Sequence, residues 1–211
     1  MKKSDIIDLV NLLKTSYPDA TCSLDFSTPF ELVVAVMLSA QCTDERVNKT
    51  TPVLFNKCKT IEDFDNIDIK ELEDIIYPCG FYKNKAKNIK LCAKQVIENF
   101  NGIVPKTMEE LTSLAGVGRK SANVILLEVF GIANGIAVDT HAKRISNLVG
   151  LSNEKTPEKI EQDLINIFPK EYLKDINHFF VWHGRNTCIA RHPKCEQCSI
   201  NKYCKHYKSQ K

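Results

Sequence analysis

Apolar residues recur along this chain at the three- and four-residue spacing of helices, and nowhere at the two-residue alternation of a half-buried strand. Ile6, Ile7, Leu9, Val10, Leu12 and Leu13 line one face behind Ser4, and Pro18 bounds that first helix. Thr28-Pro29-Phe30-Glu31 joins a capping box to a proline at the first helical position. The stretch that follows, Leu32 to Ala40, is apolar on every side, so this helix is expected to be buried. Further helical patterns run from about 44 to 58, 70 to 76, 83 to 100 with Gly102 as the stop, 108 to 114 and 119 to 130. Three more cover 140 to 149, 157 to 167 and 171 to 183. Short polar connections separate them, with no repeat, low-complexity tract or linker. The pattern predicts an all-α protein.

Composition narrows the class without deciding it. A chain of 211 residues can build one large domain or two compact lobes. No apolar run is long enough to span a bilayer, and Met1-Lys2-Lys3 leads directly into an amphipathic segment with Asp5 and Asp8, unlike a signal peptide. The expectation is a soluble, intracellular protein with no membrane partner. Five of the nine cysteines, Cys22, Cys42, Cys58, Cys79 and Cys92, are scattered singly, as inert thiols in a reducing compartment would be. The net charge of +3 is too small to indicate nucleic acid, but its distribution is uneven. From Arg185 to Lys211 seven Lys or Arg residues face one acid, Glu196. Such a segment is either a solvated tail or a phosphate-binding surface. We assign phosphate contact to Arg191 and Lys194 and a solubilising role to Lys205, Lys208 and Lys211.

Two motifs carry chemistry. In Leu114-Ala115-Gly116-Val117-Gly118-Arg119-Lys120-Ser121, a tight glycine hairpin follows a short capped helix that starts at Thr107 and leads into another helix. Gly116 and Gly118 can take positive φ and bring backbone N–H groups close to a phosphate at a helix N-terminus. Lys120 stands in the first turn, where the helix dipole prefers acids, so helix stability does not explain it. Nineteen positions on, Asp139 precedes Thr140-His141-Ala142. It is a good N-cap for the next helix, and a capping carboxylate can also face a cavity. A hairpin of this kind also serves DNA-binding proteins that catalyse nothing.

The second motif is the C-x6-C-x2-C-x5-C array of Cys188, Cys195, Cys198 and Cys204, with Arg191, His192 and Lys194 inside its first loop. Four close thiolates can hold tetrahedral zinc or a [4Fe-4S] cluster. The single C-x2-C knuckle with two outlying cysteines speaks against zinc, which more often takes two such knuckles.

Hairpin and cysteine array together resemble the endonuclease III family of helix-hairpin-helix, iron-sulfur DNA glycosylase/AP lyases, over nearly the whole chain. The resemblance implies a six-helix lobe at residues 22–131, inserted into an iron-sulfur lobe made of residues 1–21 and 132–211, with a DNA-binding cleft between them. It implies a [4Fe-4S] cluster on the four cysteines, and a DNA backbone held by Gly116, Val117, Gly118 and Arg119. Lys120 falls on the family's nucleophilic lysine and Asp139 on its acid. Gln41, in Leu38-Ser39-Ala40-Gln41, falls where the family fills the space left by a flipped nucleotide. The segment from Pro78 to Ala86 resembles its wedge loop, with Phe81 or Cys79 as the wedge; core packing is the competing reading of Phe81. Asp44 stands where related adenine glycosylases carry a catalytic glutamate.

The implied reaction is base-excision repair of oxidised pyrimidines. Lys120, deprotonated by partial burial and by Arg119, would attack the sugar C1′ of an extruded nucleotide in duplex DNA that carries a damaged base or an abasic site. Asp139 would stabilise the charge on the sugar, and the Schiff base would permit β-elimination. A monomer is expected, in the cytoplasm and on the nucleoid in a bacterium. A binding module with a structural metal and no reaction is the alternative reading.

Overall fold

The structure, a computed structural model, describes residues Met1–Gln210; Lys211 lies outside them. Every regular element among the described residues is helical: α1 (Lys3–Ser16), α2 (Pro29–Ser39), α3 (Asp44–Lys57), α4 (Ile61–Asn66), α5 (Ile69–Ile76), α6 (Tyr82–Phe100), α7 (Met108–Ser113), α8 (Arg119–Phe130), α9 (Thr140–Val149), α10 (Pro157–Ile167), α11 (Lys170–Asn186) and α12 (Lys205–Lys208), with 3₁₀ turns at Tyr77–Cys79, Cys195–Gln197 and Asn201–Tyr203. No helix among the described residues is long and apolar enough to cross a membrane.

The chain divides into two compact units, one of Cys22–Phe130 and one of Met1–Thr21 with Gly131–Lys211. The first is built around α2. The Thr28 hydroxyl accepts the Glu31 N–H at 3.2 Å, and the Glu31 carboxylate accepts the N–H groups of Ser27 and Thr28 at 2.6 and 3.2 Å. These bonds satisfy donors that a helix start leaves open. From Leu32 to Leu38 every side chain of α2 is buried, as its unbroken apolar sequence requires.

Helix α4 lies between the segments that periodicity identifies. At six residues it is too short to show a period, but Thr60 and Asp63 form a full capping box at its start. It seats Phe64 edge-on to Phe30, with ring centroids 5.3 Å apart.

In the second unit, Ile6, Leu9, Val10 and Leu13 of α1 join Ile145, Ile160, Leu164 and Phe180 in one core, and Cys188, Cys198 and Cys204 pack against its edge. Helix α1 begins one residue before Ser4, because the Asp5 carboxylate accepts the Lys2 N–H at 3.0 Å.

Candidate active site and metal centre

The glycine hairpin joins α7 to α8. Thr107 starts α7 by accepting the Glu110 N–H at 3.2 Å, and the Val117 N–H donates to the Leu114 carbonyl at 3.1 Å to close the turn. Gly116 has φ 77, and a Cβ there would stand 2.6 Å from Met37 Cε and 3.0 Å from Asn88 Cβ. The positive φ favours glycine, and a Cβ would in addition crowd Asn88 and displace the end of Met37. Val117 is buried and anchors the turn.

Gly118 departs from expectation, since its φ is not positive. Its carbonyl already accepts the Ala122 N–H at 2.9 Å, so it is the residue from which α8 starts. A Cβ on it would meet nothing within 4 Å. The glycine therefore leaves open space above the first turn of α8, and its own conformation does not call for it.

Arg119 and Lys120 are exposed on that first turn. The partial burial expected for Lys120 is absent, and the reason is positional. The buried face of α8 begins with Ala122 and continues through Asn123, Ile125, Leu126 and Leu127. Lys120 lies two residues ahead of it, on the solvent side.

Gln41 and Phe81 share an uncommon backbone. Ala40 (φ −60, ψ 113) and Gln41 (φ 54) are the central residues of a turn closed by the Cys42 N–H on the Ser39 carbonyl at 3.1 Å. That is a type II turn with glutamine where glycine is favoured. Phe81 (φ 48, ψ 25) is the N-cap of α6, also in the left-handed region. Both side chains are exposed, Phe81 to 64%. Core packing is thus excluded for Phe81, whereas Cys79 is 2% exposed and turned inward. Left-handed conformations are costly for side chains of this size and cluster at functional sites.

Between these segments lies a buried lysine. Lys85 occupies the buried stripe of α6 with Ala86, Ile89, Cys92, Ala93 and Val96. A lysine in an apolar stripe was the sequence signal for it. Its Nζ donates to the carbonyls of Leu38 and Cys79 at 2.8 and 2.9 Å.

Asp139 is the N-cap of α9, its Oδ1 accepting the Ala142 N–H at 2.8 Å. The cap uses one carboxylate oxygen, and the residue is half-buried. Asp44 opens α3 and accepts a hydrogen bond from the Ser23 hydroxyl at 2.6 Å.

Cys188, Cys195, Cys198 and Cys204 all line one pocket of about 390 Å³, part of it open to solvent, with Leu148, His183, Ile200 and Tyr207. Among the described residues no three Cys, His, Asp or Glu side chains converge on a single-ion position. Thiols ringed around a pocket suit a cluster in which each iron takes one thiolate. Burial pushes the Cys198 thiol up to about 11, and burial with the charge of its neighbours also raises Cys188 and Cys195. Together such thiols become thiolates only against a cationic group, which is the chemistry an iron-sulfur cluster supplies.

The surroundings of these cysteines were not singled out by sequence. Arg144 donates to the carbonyls of Cys188 and Gly184 at 2.7 and 3.0 Å. His183 Nε2 lies 3.6 Å from Cys198 Sγ, and its Nδ1 lies 3.0 Å from the Tyr17 hydroxyl. Burial, and then Arg144, lowers His183 to about 4. Arg191 and Lys194 are exposed in the loop between the first two cysteines, which the Lys194 N–H closes on the Thr187 carbonyl at 2.9 Å.

Comparison with known proteins agrees with these two features. Residues 34–170 match the family described as HhH-GPD superfamily base excision DNA repair protein, and residues 188–204 match the iron-sulfur binding domain of endonuclease III. The endonuclease III of Synechocystis sp. is 45% identical over 203 residues, 96% of this chain and 93% of that protein. The chain belongs to the endonuclease III family. Two solved endonuclease III structures, one a non-covalent complex with DNA and one a trapped covalent intermediate with DNA, each match with a TM-score of 0.94 at 39% identity. They cover 100% of this chain and 98% and 99% of theirs. As an endonuclease III family member the protein is a base-excision repair DNA glycosylase/AP lyase with an iron-sulfur cluster, [4Fe-4S] in this family.

Proposed function

We propose that Lys120 is the nucleophile, and that the enzyme removes oxidised pyrimidines from duplex DNA and cuts the strand through a Schiff base. The observation that carries this reading is an exposed lysine in the first turn of a helix, set there by a hairpin that turns at the positive φ of Gly116. Likeness to an endonuclease III trapped covalently on DNA supports it.

The steps follow from residue types. The neutral Lys120 amine attacks the sugar C1′ as the damaged base departs with its bonding electrons. Asp139 stabilises the charge that develops on the sugar and moves protons, using the carboxylate oxygen its cap leaves over. The nitrogen then loses its protons as the C1′–O4′ bond opens and O4′ takes up a proton, giving an imine that acidifies C2′; loss of the C2′ proton expels the 3′ phosphate by β-elimination.

The remaining residues bind. The N–H groups around Gly116, Val117 and Gly118, with Arg119, hold the DNA backbone at the N-terminus of α8. Gln41 enters the space of the extruded nucleotide and Phe81 is the wedge. Cys188, Cys195, Cys198 and Cys204 hold the [4Fe-4S] cluster, which when bound cross-links four thiolates and fixes the loop carrying Arg191 and Lys194 against phosphates. In this reading the hairpin lobe is residues 22–131 and the cluster lobe residues 1–21 and 132–211. The protein acts as a monomer inside the cell, on the nucleoid in a bacterium.

Borohydride trapping on a duplex with one thymine glycol, wild type beside Lys120→Gln, tests the reading. A covalent band in wild type alone, with damaged-DNA affinity retained by the variant, is the expected result. Equal loss of affinity and cutting would reassign Lys120 to binding, and base release without a band would remove the Schiff base.

A further inference from the structure

We propose that Lys85 is a positioning residue that locks the Gln41 turn to the Phe81 loop, so that the two side chains enter DNA as one unit. The inference rests on the reading of Gln41 as plug and Phe81 as wedge. It goes further by naming what holds the pair in register.

Lys85 cannot touch DNA itself, since it is 7% exposed and its ammonium is turned inward. Its two acceptors lie on the two segments in question. The Leu38 carbonyl is one of the last of α2, whose final turn leaves its carbonyls without intrahelical partners. It precedes the Ala40-Gln41 turn by two residues. The Cys79 carbonyl ends a 3₁₀ turn two residues before Phe81. One ammonium thus bridges two chain segments about forty positions apart in sequence, one acceptor three residues before the left-handed, exposed Gln41 and the other two residues before the left-handed, exposed Phe81. The Cys42 and Cys79 thiols stand beside it, flanking the same two turns.

The energetics make this bridge a lock rather than a decoration. A buried ammonium is tolerated only while its protons have acceptors. Moving either segment away from the other takes a carbonyl from a charge that cannot reach water, so the segments shift together or not at all. Strained conformations such as those of Gln41 and Phe81 persist only where the surroundings over-determine them. Burial also weakens the hold of Lys85 on its proton, with the two thiols opposing, which is consistent with an ammonium kept in place by its acceptors.

The test uses wild type, Lys85→Met and Lys85→Arg on two substrates. One is a duplex with thymine glycol next to 2-aminopurine, whose fluorescence reports unstacking, and the other is a single-stranded oligonucleotide with an abasic site, which leaves no hole to fill. Lys85→Met is expected to lose about 10²-fold in duplex excision and the 2-aminopurine rise, through kcat more than KM. It keeps single-strand cleavage within about 2-fold. Lys85→Arg, which retains donors, recovers most of the duplex activity. Coupling between Gln41→Ala and Phe81→Ala, present in wild type, disappears in the Lys85→Met background.

Wild-type duplex excision and fluorescence in Lys85→Met would overturn the proposal, and so would parallel loss on both substrates. Should Lys85→Met fail to fold by circular dichroism, Lys85→Gln, whose amide reaches one carbonyl, replaces it with the same two outcomes. If Gln41→Ala and Phe81→Ala leave the fluorescence unchanged, the plug-and-wedge reading fails. If they lower it and Lys85→Met does not, only the lock fails.

Discussion

Gly184 and His141 touch so closely that a Cβ on Gly184 would stand 2.4 Å from His141 Nδ1 and 2.8 Å from its Cβ and Cγ. The contact fixes how α11 crosses α9. It also sets Arg144, which donates to the Gly184 and Cys188 carbonyls from the next turn of α9. Gly184→Ala is expected to force the helices apart at a cost of about 1–3 kcal/mol. Its melting temperature should fall by roughly 2–10 °C, and purified protein should hold less iron and less visible absorption. Gly118→Ala is the control, because its Cβ meets nothing within 4 Å and its φ is ordinary. It should change stability by less than about 0.5 kcal/mol.

Long helices were legible in the sequence because their apolar periods and caps coincide, as at Thr28 and Glu31 ahead of α2. The cysteine array was legible because its spacing is local. Less visible were features that depend on neighbours distant in sequence. Gly116 and Gly118 look equivalent as letters, yet only Gly116 meets Met37 and Asn88 and takes positive φ. Lys120 looks like a residue of a buried catalytic helix, but the apolar face starts after it. Lys85 was readable as a lysine in a buried stripe, although its acceptors on Leu38 and Cys79 were not. Helix α4 was hidden by its length, since six residues carry a cap but no period.

The left-handed Gln41 predicts opposite effects on stability and activity. A glutamine at φ 54 costs about 1–2 kcal/mol that glycine would not. Its exposed side chain returns no packing to offset this. Gln41→Gly should therefore raise stability by about 1 kcal/mol, less the flexibility glycine adds to the unfolded chain. Excision from a thymine glycol duplex should fall at the same time. Thermal melts beside single-turnover kinetics check both directions. A destabilised variant with unchanged kinetics would mean that the turn serves the fold alone.

Arg191 and Lys194, both exposed in the cysteine loop, make a prediction about salt. If each meets a phosphate, Arg191→Ala and Lys194→Ala weaken binding to damaged and undamaged duplexes alike. Each also reduces the slope of log affinity against log salt by about 1. Lys208, exposed beyond the last cysteine, is the comparison: Lys208→Ala should leave the slope unchanged. Fluorescence anisotropy across a salt series measures all three. Equal slopes for Lys194→Ala and Lys208→Ala would place Lys194 in a merely solvated segment.

Stability should also fall between neutral and mildly acidic pH, because half-buried histidines take up protons less readily in the fold. Burial lowers His178 and His141 below their ordinary value of 6.5, against the opposing charges of Asp175 and Asp139. The unfolded chain takes up protons near 6.5 that the folded chain refuses until lower pH. Stability from this source is thus fully present above 6.5 and is lost as pH falls through 6.5 toward the lower folded values. The carboxylates of Asp8 and Asp63, held below their ordinary 3.8 by hydrogen bonds, act in the same direction but only in strong acid. Melting temperature should accordingly drop from pH 7.5 to pH 5, and His178→Gln should flatten part of that drop. A melting temperature constant over this range in wild type would mean that these rings take protons as readily folded as unfolded.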